Sequence, residues 1–280
     1  LEVDLEQHVL APSVRAAVVA HYERAAPLIV ANFPLAPVTP IAYPKGLDQH
    51  ARYDAPVHYP VPPYVTTVKL GEEHQHHRYP ALDKHTIRWY TEARDVVDFC
   101  SWTPCASDPG RLGYARIILS PRGGATHEHV ALAMVAVHRV LVDSGVDAIP
   151  VLDGFAGAAL FIPFNDTPDY SAVRAWLHEA AETAVLRNDD LLTSDQHDQK
   201  TQRVHVNVGS NAVGRYSSLP YALTGGPNLG MVTPIEWGEL NTVVNGHYTA
   251  LNSAERLARG DVFGNAAADL VDQAFGEGPH

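Results

Sequence analysis

RIILSPRGGATHEHV, residues 116–130, carries three signals in succession. An apolar run with strand character breaks at Ser120–Pro121, passes Gly123 and Gly124, and enters a helix opened by Thr126. A strand, a glycine turn and a helix N-terminus form a place that can hold an anion, because the first helical turn leaves backbone N–H groups unpaired. Arg122, Gly123, Gly124 and Thr126 are therefore candidate anion-binding positions. Caps of this composition are common, so the motif alone is weak.

The pattern extends outward from this stretch. YARIILS (114–120) reads as a strand, and 126–145 as an amphipathic helix with Val130, Met134, Val137 and Leu141 at helical spacing, closing on Gly145. Two strands follow, 149–153 and 158–164, joined by a turn through Gly154 and Gly157; then a helix over 171–185 and a strand over 203–209. The order is β-α-β-β-α-β, in which two helices cover one face of an antiparallel sheet and leave the other free for ligands.

The N-terminal part is less regular. Residues 13–31 read as a helix capped by Ser13 and kinked at Pro27, and a Pro-rich extended region runs from Phe33 to Pro63. A hairpin is expected across Gly71–Glu72, and a helix over 83–99 with Asp83 as N-cap. The fold class is α/β (α+β), with a β-α-β-β-α-β core and an N-terminal helical/extended subdomain. No linker divides the chain, so 1–280 is expected to form one domain, with an N-terminal part over 1–110 and a second part over 111–280.

Composition narrows the function. The chain has 280 residues, 46% of them hydrophobic, and a formal charge of −12 from 20 basic and 32 acidic residues. Its lysines are Lys45, Lys69, Lys84 and Lys200 alone. Tight nucleic-acid binding normally needs a basic face, so any DNA binding is expected to be weak. No apolar run approaches the roughly 18 residues of a membrane helix and the first residues lack signal-peptide order, so a soluble cytoplasmic protein without a membrane partner is expected. Cys100 and Cys105 are too few for a disulfide framework and read as ordinary thiols.

Four stretches in order resemble the polymerase (primase-like) domain of bacterial ATP-dependent DNA ligase D, a branch of the archaeo-eukaryotic primase superfamily. YPKGLDQHARYD…PPYVTTVKL (43–70) is similar to the family's Tyr/Trp-Pro-x-Gly stretch and the strand after it, and RYPALDKHTIRWYTEA (78–93) to its Tyr-Pro-x-x-Asp helix entry. NVGSNAVGRYSSLPYAL (207–223) is similar to its Asp-x-x-x-Asn … Lys-Thr-Thr … Pro-Tyr-Ser-Leu-Arg segment, and TPIEWGEL (233–240) to its closing Thr-Trp-x-Glu-Leu motif. The resemblance implies a primase-polymerase fold in which 111–280 is the palm-like part.

It also implies a site that this chain lacks. The family's Asp-Leu-Asp-Pro matches Ile118, Leu119, Ser120 and Pro121, and its third metal aspartate matches Asn207. Two divalent metals would lose all three anionic anchors. No cofactor is therefore expected, the Mg²⁺/Mn²⁺ site of the family being lost. The phosphate-gripping serine, lysine and histidine turn corresponds to 153–159, with Asp153 in place of the serine and alanines in place of the cation and imidazole. Thr224 replaces a family arginine, while Arg215 can stand for the lysine of Lys-Thr-Thr. The family's Phe-Phe-Glu-Lys reads Arg52-Tyr53-Asp54-Ala55, and its two 5′-phosphate lysines match His8 and Arg15, so Arg15 and Arg52 remain as anion candidates.

Two readings follow. In the first, the chain is a catalytically degenerate polymerase-like pseudoenzyme, a binding or scaffold protein linked to DNA repair. In the second, the cleft is repurposed for a small molecule or a new reaction, with Ser120, Asp153, His205, Asn207 and Arg215 as its polar pocket; an Asp–His pair within reach could do general acid/base work. Residual polymerase or primase activity ranks behind both. The partner is open, a protein or a small ligand. His74 and His76 would share a face on a strand, a spacing that permits metal chelation, but a solvated hairpin tip explains them without a metal; His127 and His129, on a helix, point about 200° apart.

Overall fold

The computed structural model describes residues 10–69, 77–103, 112–164, 169–198, 200–226 and 228–273. The N-terminal region holds α1 (Pro12–Asn32), β1 (Thr39–Ala42), β2 (Arg52–Tyr53), β3 (Thr67–Lys69), β4 (Arg78–Pro80), α2 (Lys84–Arg94) and β5 (Val96–Ser101). The central unit follows as β6 (Tyr114–Arg122), α3 (His127–Asp143), β7 (Ile149–Leu152), β8 (Ala158–Pro163), α4 (Tyr170–Arg187), β9 (Leu192–Thr193) and β10 (Arg203–Asn207). After it come β11 (Ser217–Ser218), β12 (Thr233–Pro234), α5 (Ser253–Leu257) and α6 (Val262–Leu270).

The β-α-β-β-α-β unit is β6-α3-β7-β8-α4-β10. Its strands lie in the order β12-β7-β8-β6-β10-β9, so β6, first in the unit, is central. Strand alternation sends Ile117 and Leu119 to one face with Leu160 and Val206, all buried under α3 and α4. Arg116, Ile118 and Ser120 go to the other face, opposite Phe161, Ala159 and, on β10, His205 and Asn207. The two helices cover only the first face, through Val130, Met134 and Val137 of α3 and Val173, Leu177 and Ala180 of α4.

A second sheet, ordered β11-β5-β1-β2, faces the free side of the first. Its outer face packs on α1: Tyr22 meets Phe99 edge-on at 5.1 Å and donates its hydroxyl to the Val97 carbonyl at 2.6 Å. Thr39, Ile41, Asp98, Cys100 and Ser218 share its inner face by register.

Three expectations change in the structure. The segment 83–99 is not one helix: α2 stops at Arg94, Asp95 takes a left-handed conformation at φ 52°, and Val96–Ser101 is a strand buried throughout. Helix propensity differs by under about 0.7 kcal/mol per ordinary residue, whereas burying Val97 and Phe99 contributes roughly 1.5–3 kcal/mol each. Packing wins. Asp83 does cap α2, accepting from the Thr86 N–H at 2.7 Å. At the first helix, Pro12 opens α1 and Ala11 is the N-cap, so Ser13 lies inside the first turn, and the helix runs through Pro27. The strand at 114–120 continues to Arg122. β3 and β4 pair as the expected hairpin, while its tip, with Gly71, Glu72, His74 and His76, lies outside the described residues.

His21 is buried between α1 and the C-terminal segments, with its ring nitrogens on Ser253 Oγ at 2.7 Å and the Tyr221 carbonyl at 2.9 Å. Burial lowers its pKa to about 4. The folded protein therefore holds His21 neutral while the unfolded chain protonates it near 6.5. Stability is full above pH 6.5 and is lost as pH falls toward 4, by up to roughly 3 kcal/mol from this group. Urea midpoints measured between pH 7 and pH 4 should fall for the wild type, and fall less for His21→Gln.

Candidate functional site

A cavity of about 310 Å³ opens between the two sheets. Ile118, Val151, Ala159 and Phe161 form its wall on the first sheet, and Ile41, Cys100, Ser217 and Ser218 its wall on the second. Phe155, Tyr53 and Tyr216 stand at its mouth, exposed by 70%, 54% and 40%. Tyr53 and Tyr216 lie with ring centroids 6.1 Å apart. Among the described residues, the lining includes no lysine or arginine.

The positions matched to metal aspartates come together, but not as ligands. Ile118 and Ser120 alternate onto the cleft face of β6, and Asn207 lies directly across from Ile118 on β10. Asn207 Oδ1 already accepts the Gly209 N–H at 2.8 Å. The set offers an alkyl group, a hydroxyl and an engaged amide, with no anionic oxygen. Two divalent cations at the usual separation of roughly 3.5–4 Å repel strongly and need carboxylates between them. These residues do not fit a two-metal centre. Among the described residues, no group of three or more His, Cys, Asp or Glu side chains could hold a metal ion.

The turn between β7 and β8 is closed by Asp153. Asp153 Oδ1 accepts the backbone N–H groups of Phe155 at 2.8 Å and Ala156 at 2.9 Å, and Oδ2 accepts that of Gly157 at 2.9 Å. Successive N–H groups converging on one point form an anion-binding concavity. Here the anion is the chain's own carboxylate. Burial raises the Asp153 pKa and the three N–H groups oppose that rise. Gly154, at φ 80°, passes against Gly230 and Met231, where a Cβ would come within 2.9 Å of both carbonyl oxygens.

The five polar cleft candidates do not converge. Of them, only Asp153 lines the cavity. His205 lies opposite Ser120 and beside β9, is 7% exposed, and hydrogen-bonds the Ser194 backbone. Burial is the largest cause of its lowered pKa, with Arg122 acting in the same direction. Arg215 is exposed and contributes its carbonyl to Arg116 at 2.7 Å.

Of the candidate anion positions, Arg15, Arg52 and the glycine turn are engaged internally, whereas Arg122 Nε is buried without a hydrogen-bond partner. Arg15 pairs with Asp95 at 3.1 Å and donates to the Glu92 carbonyl, fastening α1 to α2. Arg52 pairs with buried Asp54 at 2.8 Å, and Arg94 meets the same carboxylate at 2.8 Å. At the opening turn, Gly123 and Gly124 have φ of 54° and 81°, and Gly123 passes so close to the Lys200 carbonyl that a Cβ would lie 2.2 Å from it. The Gly123 carbonyl accepts the Gln202 N–H at 2.9 Å, and the Thr126 N–H donates to His129 Nδ1 at 3.2 Å. The turn docks one segment of the chain on another. His8 lies outside the described residues.

Sequence reasoning missed the second wall. Asp98 is 5% exposed; Ser218 donates to its Oδ2 at 2.7 Å, and Cys100 and the Phe99 N–H also lie against the carboxylate. Burial pushes the Asp98 pKa up to about 7, with the Ser218 hydroxyl opposing. Cys100 Sγ lies 3.7 Å from Ser218 Oγ, and burial raises its pKa well above the ordinary thiol value. The signal was an aspartate inside the apolar run VVDFC, hidden by reading 83–99 as one helix.

The comparisons agree with this architecture. The family described as LigD, primase-polymerase domain, matches residues 14–263. The multifunctional non-homologous end joining DNA repair protein LigD of Mycobacterium tuberculosis and the multifunctional non-homologous end joining protein LigD of Mycobacterium bovis are each 22% identical over 259 residues. These alignments cover 89% of this chain and 34% of each relative, so the chain spans about a third of their length. Among solved structures, the polymerase domain from Mycobacterium tuberculosis ligase D in complex with DNA superposes with a TM-score of 0.82 at 19% identity, covering 96% of this chain and 99% of that one. The fold is shared.

The Asp153 turn yields a direct test. In Asp153→Ala, three N–H groups lose their acceptor, and leaving one buried group unpaired costs about 1–3 kcal/mol. Solvent at the turn relieves part of this, so chemical denaturation should show a loss of about 2 kcal/mol.

Proposed function

The chain belongs to the family of LigD primase-polymerase domains, and we propose that it has left nucleotidyl transfer and works by binding. The carrying observation is the cleft strand itself. Ile118, Ser120 and Asn207 occupy the positions that the family resemblance gives to metal-binding aspartates, and none is anionic. Phosphoryl transfer relies on metal ions to neutralise charge on the transferring group. Without their anchors the reaction loses its main source of electrostatic stabilisation. No cofactor is assigned in this reading.

Two further observations support it. The backbone nest that could receive phosphate is filled by Asp153. Arg15 is paired with Asp95, and Arg52 is held with Arg94 on Asp54, so both guanidiniums are committed to contacts within the chain. The relatives are named as DNA repair proteins; a role beside repair, as a binding or scaffold component, follows for this chain only as part of the proposal. A second reading, in which the cleft serves a small ligand, is favoured by the cavity remaining open behind Phe155 instead of being closed by it.

Purified protein is expected to incorporate no ribonucleotide or deoxyribonucleotide on a primed template with Mg²⁺ or Mn²⁺. Template-dependent extension that co-purifies with the folded chain and disappears in Ile118→Lys would overturn the proposal. In Mn²⁺ titration calorimetry the wild type should show no specific heat, whereas the triple variant Ile118→Asp, Ser120→Asp, Asn207→Asp should gain a binding isotherm.

For a gapped duplex, affinity should be weak, should fall steeply with salt, and should not depend on a 5′-phosphate. Fluorescence anisotropy from low to physiological salt checks this. A 5′-phosphate preference abolished by Arg15→Ala would contradict it.

A further inference from the structure

The cavity between the sheets has walls, a mouth and a floor of different chemistry. Its walls are aliphatic and aromatic through Ile41, Ile118, Val151, Ala159 and Phe161. Its mouth exposes three aromatic rings, which is unusual beside a cleft unless something covers them, because exposed apolar clusters on soluble domains mark contact sites. Its volume, about 310 Å³, falls at the lower end of small-molecule pockets.

The floor carries the Ser218 hydroxyl, a polar group on the lining itself. It donates to Asp98 Oδ2 at 2.7 Å, and Asp98, 5% exposed, lies behind the lining with Cys100 and the Phe99 N–H also against its carboxylate. Strand register pairs Asp98 with Ile41, which lines the cavity. Having given its proton to Asp98, the Ser218 oxygen is left to accept a hydrogen bond from a ligand donor.

Charge selects against anions. Among the described residues no cation lines the cavity, Asp153 lines it with Asp98 behind Ser218, and the N–H groups of the β7–β8 turn are spent on Asp153. A phosphate or carboxylate there would meet like charge and no donor. From walls, floor and charge together, we infer that the cavity is a site for a small uncharged aromatic molecule with one hydrogen-bond donor, its rings between Tyr53, Tyr216 and Phe155 and its donor directed at the Ser218 hydroxyl oxygen. The inference rests on the reading that the cleft no longer takes metal-bound triphosphate, and gives that cleft a ligand class.

The probe is N-phenylnaphthylamine, uncharged, with two ring systems and one N–H, titrated into the full chain and followed by its fluorescence. The expected result is saturable one-to-one binding. The ether phenoxynaphthalene, which has no donor, should bind about 5-fold more weakly, the size of one net hydrogen bond. Ala159→Phe, which fills the cavity, should reduce affinity by at least about 10-fold, equivalent to about 1.4 kcal/mol. Phe155→Ala, at an exposed position that leaves the fold intact, should reduce it about 3-fold, and thermal melts should show both variants folded. Absence of saturable binding, or binding unchanged in Phe155→Ala, overturns the inference, and equal affinity for the ether overturns its donor component. Adding Mn²⁺–ATP separates the two layers: if it displaces the probe, the loss of triphosphate binding is wrong as well; if neither binds, only the ligand class fails.

Discussion

A single buried guanidinium sets the relation between the two sheets. Arg116 lies on the cleft face of β6 and is fully buried. It donates to the Ser101 carbonyl at the end of β5 at 2.8 Å, to the Arg215 carbonyl at 2.7 Å, and to Ser210 Oγ and carbonyl, each at 3.3 Å. Asn211 clasps the backbone of the same residue, accepting its N–H at 2.8 Å and donating to its carbonyl at 2.7 Å. Burial of an ion costs several kcal/mol unless it is fully hydrogen-bonded. Burial lowers the Arg116 pKa to about 10, which leaves it charged at neutral pH and held by carbonyl dipoles. β11 begins two residues after Arg215, so the same contacts place Ser217 and Ser218 opposite Ile118. The width of the cleft is a consequence of this latch.

Around that latch the charges have been redistributed. Arg15 serves Asp95, Arg52 and Arg94 share Asp54, and Arg203 meets Asp198 at 3.0 Å. The carboxylates of these pairs are largely buried, so removing one partner leaves an uncompensated charge. Arg15 and Arg203 are each matched by one carboxylate, whereas Asp54 is shared by two guanidiniums and that cluster keeps a net positive charge. Together with a net charge of −12, these pairs limit the positive field that a polyanion would meet on this fold.

The legible part of the fold is the part with long, uninterrupted periodicity. β6, α3, β7, β8, α4 and β10 each carry their own hydrophobic pattern, and the sheet order follows from the connections once their sequence is known. The second sheet was not legible, because β2 and β11 have two residues each and β1 four, too short for a pattern of their own. β5 was misread because Asp95 ends the helix by a backbone conformation that favours glycine and asparagine, not aspartate in particular. That no carboxylate stands at 118, 120 or 207 was readable from the sequence. That His205 would be taken up by the Ser194 backbone, and Asp153 by its own turn, was not, since both depend on where neighbouring main-chain groups point.

The self-satisfied turn at Asp153 makes change in this cleft one-sided. Aspartates placed at 118, 120 and 207 would add anions beside Asp153, with no lysine or arginine among the described lining residues to balance them. Replacing Asp153 would strip three N–H groups of their acceptor. Each single step lowers stability or raises repulsion, so the turn acts as a ratchet.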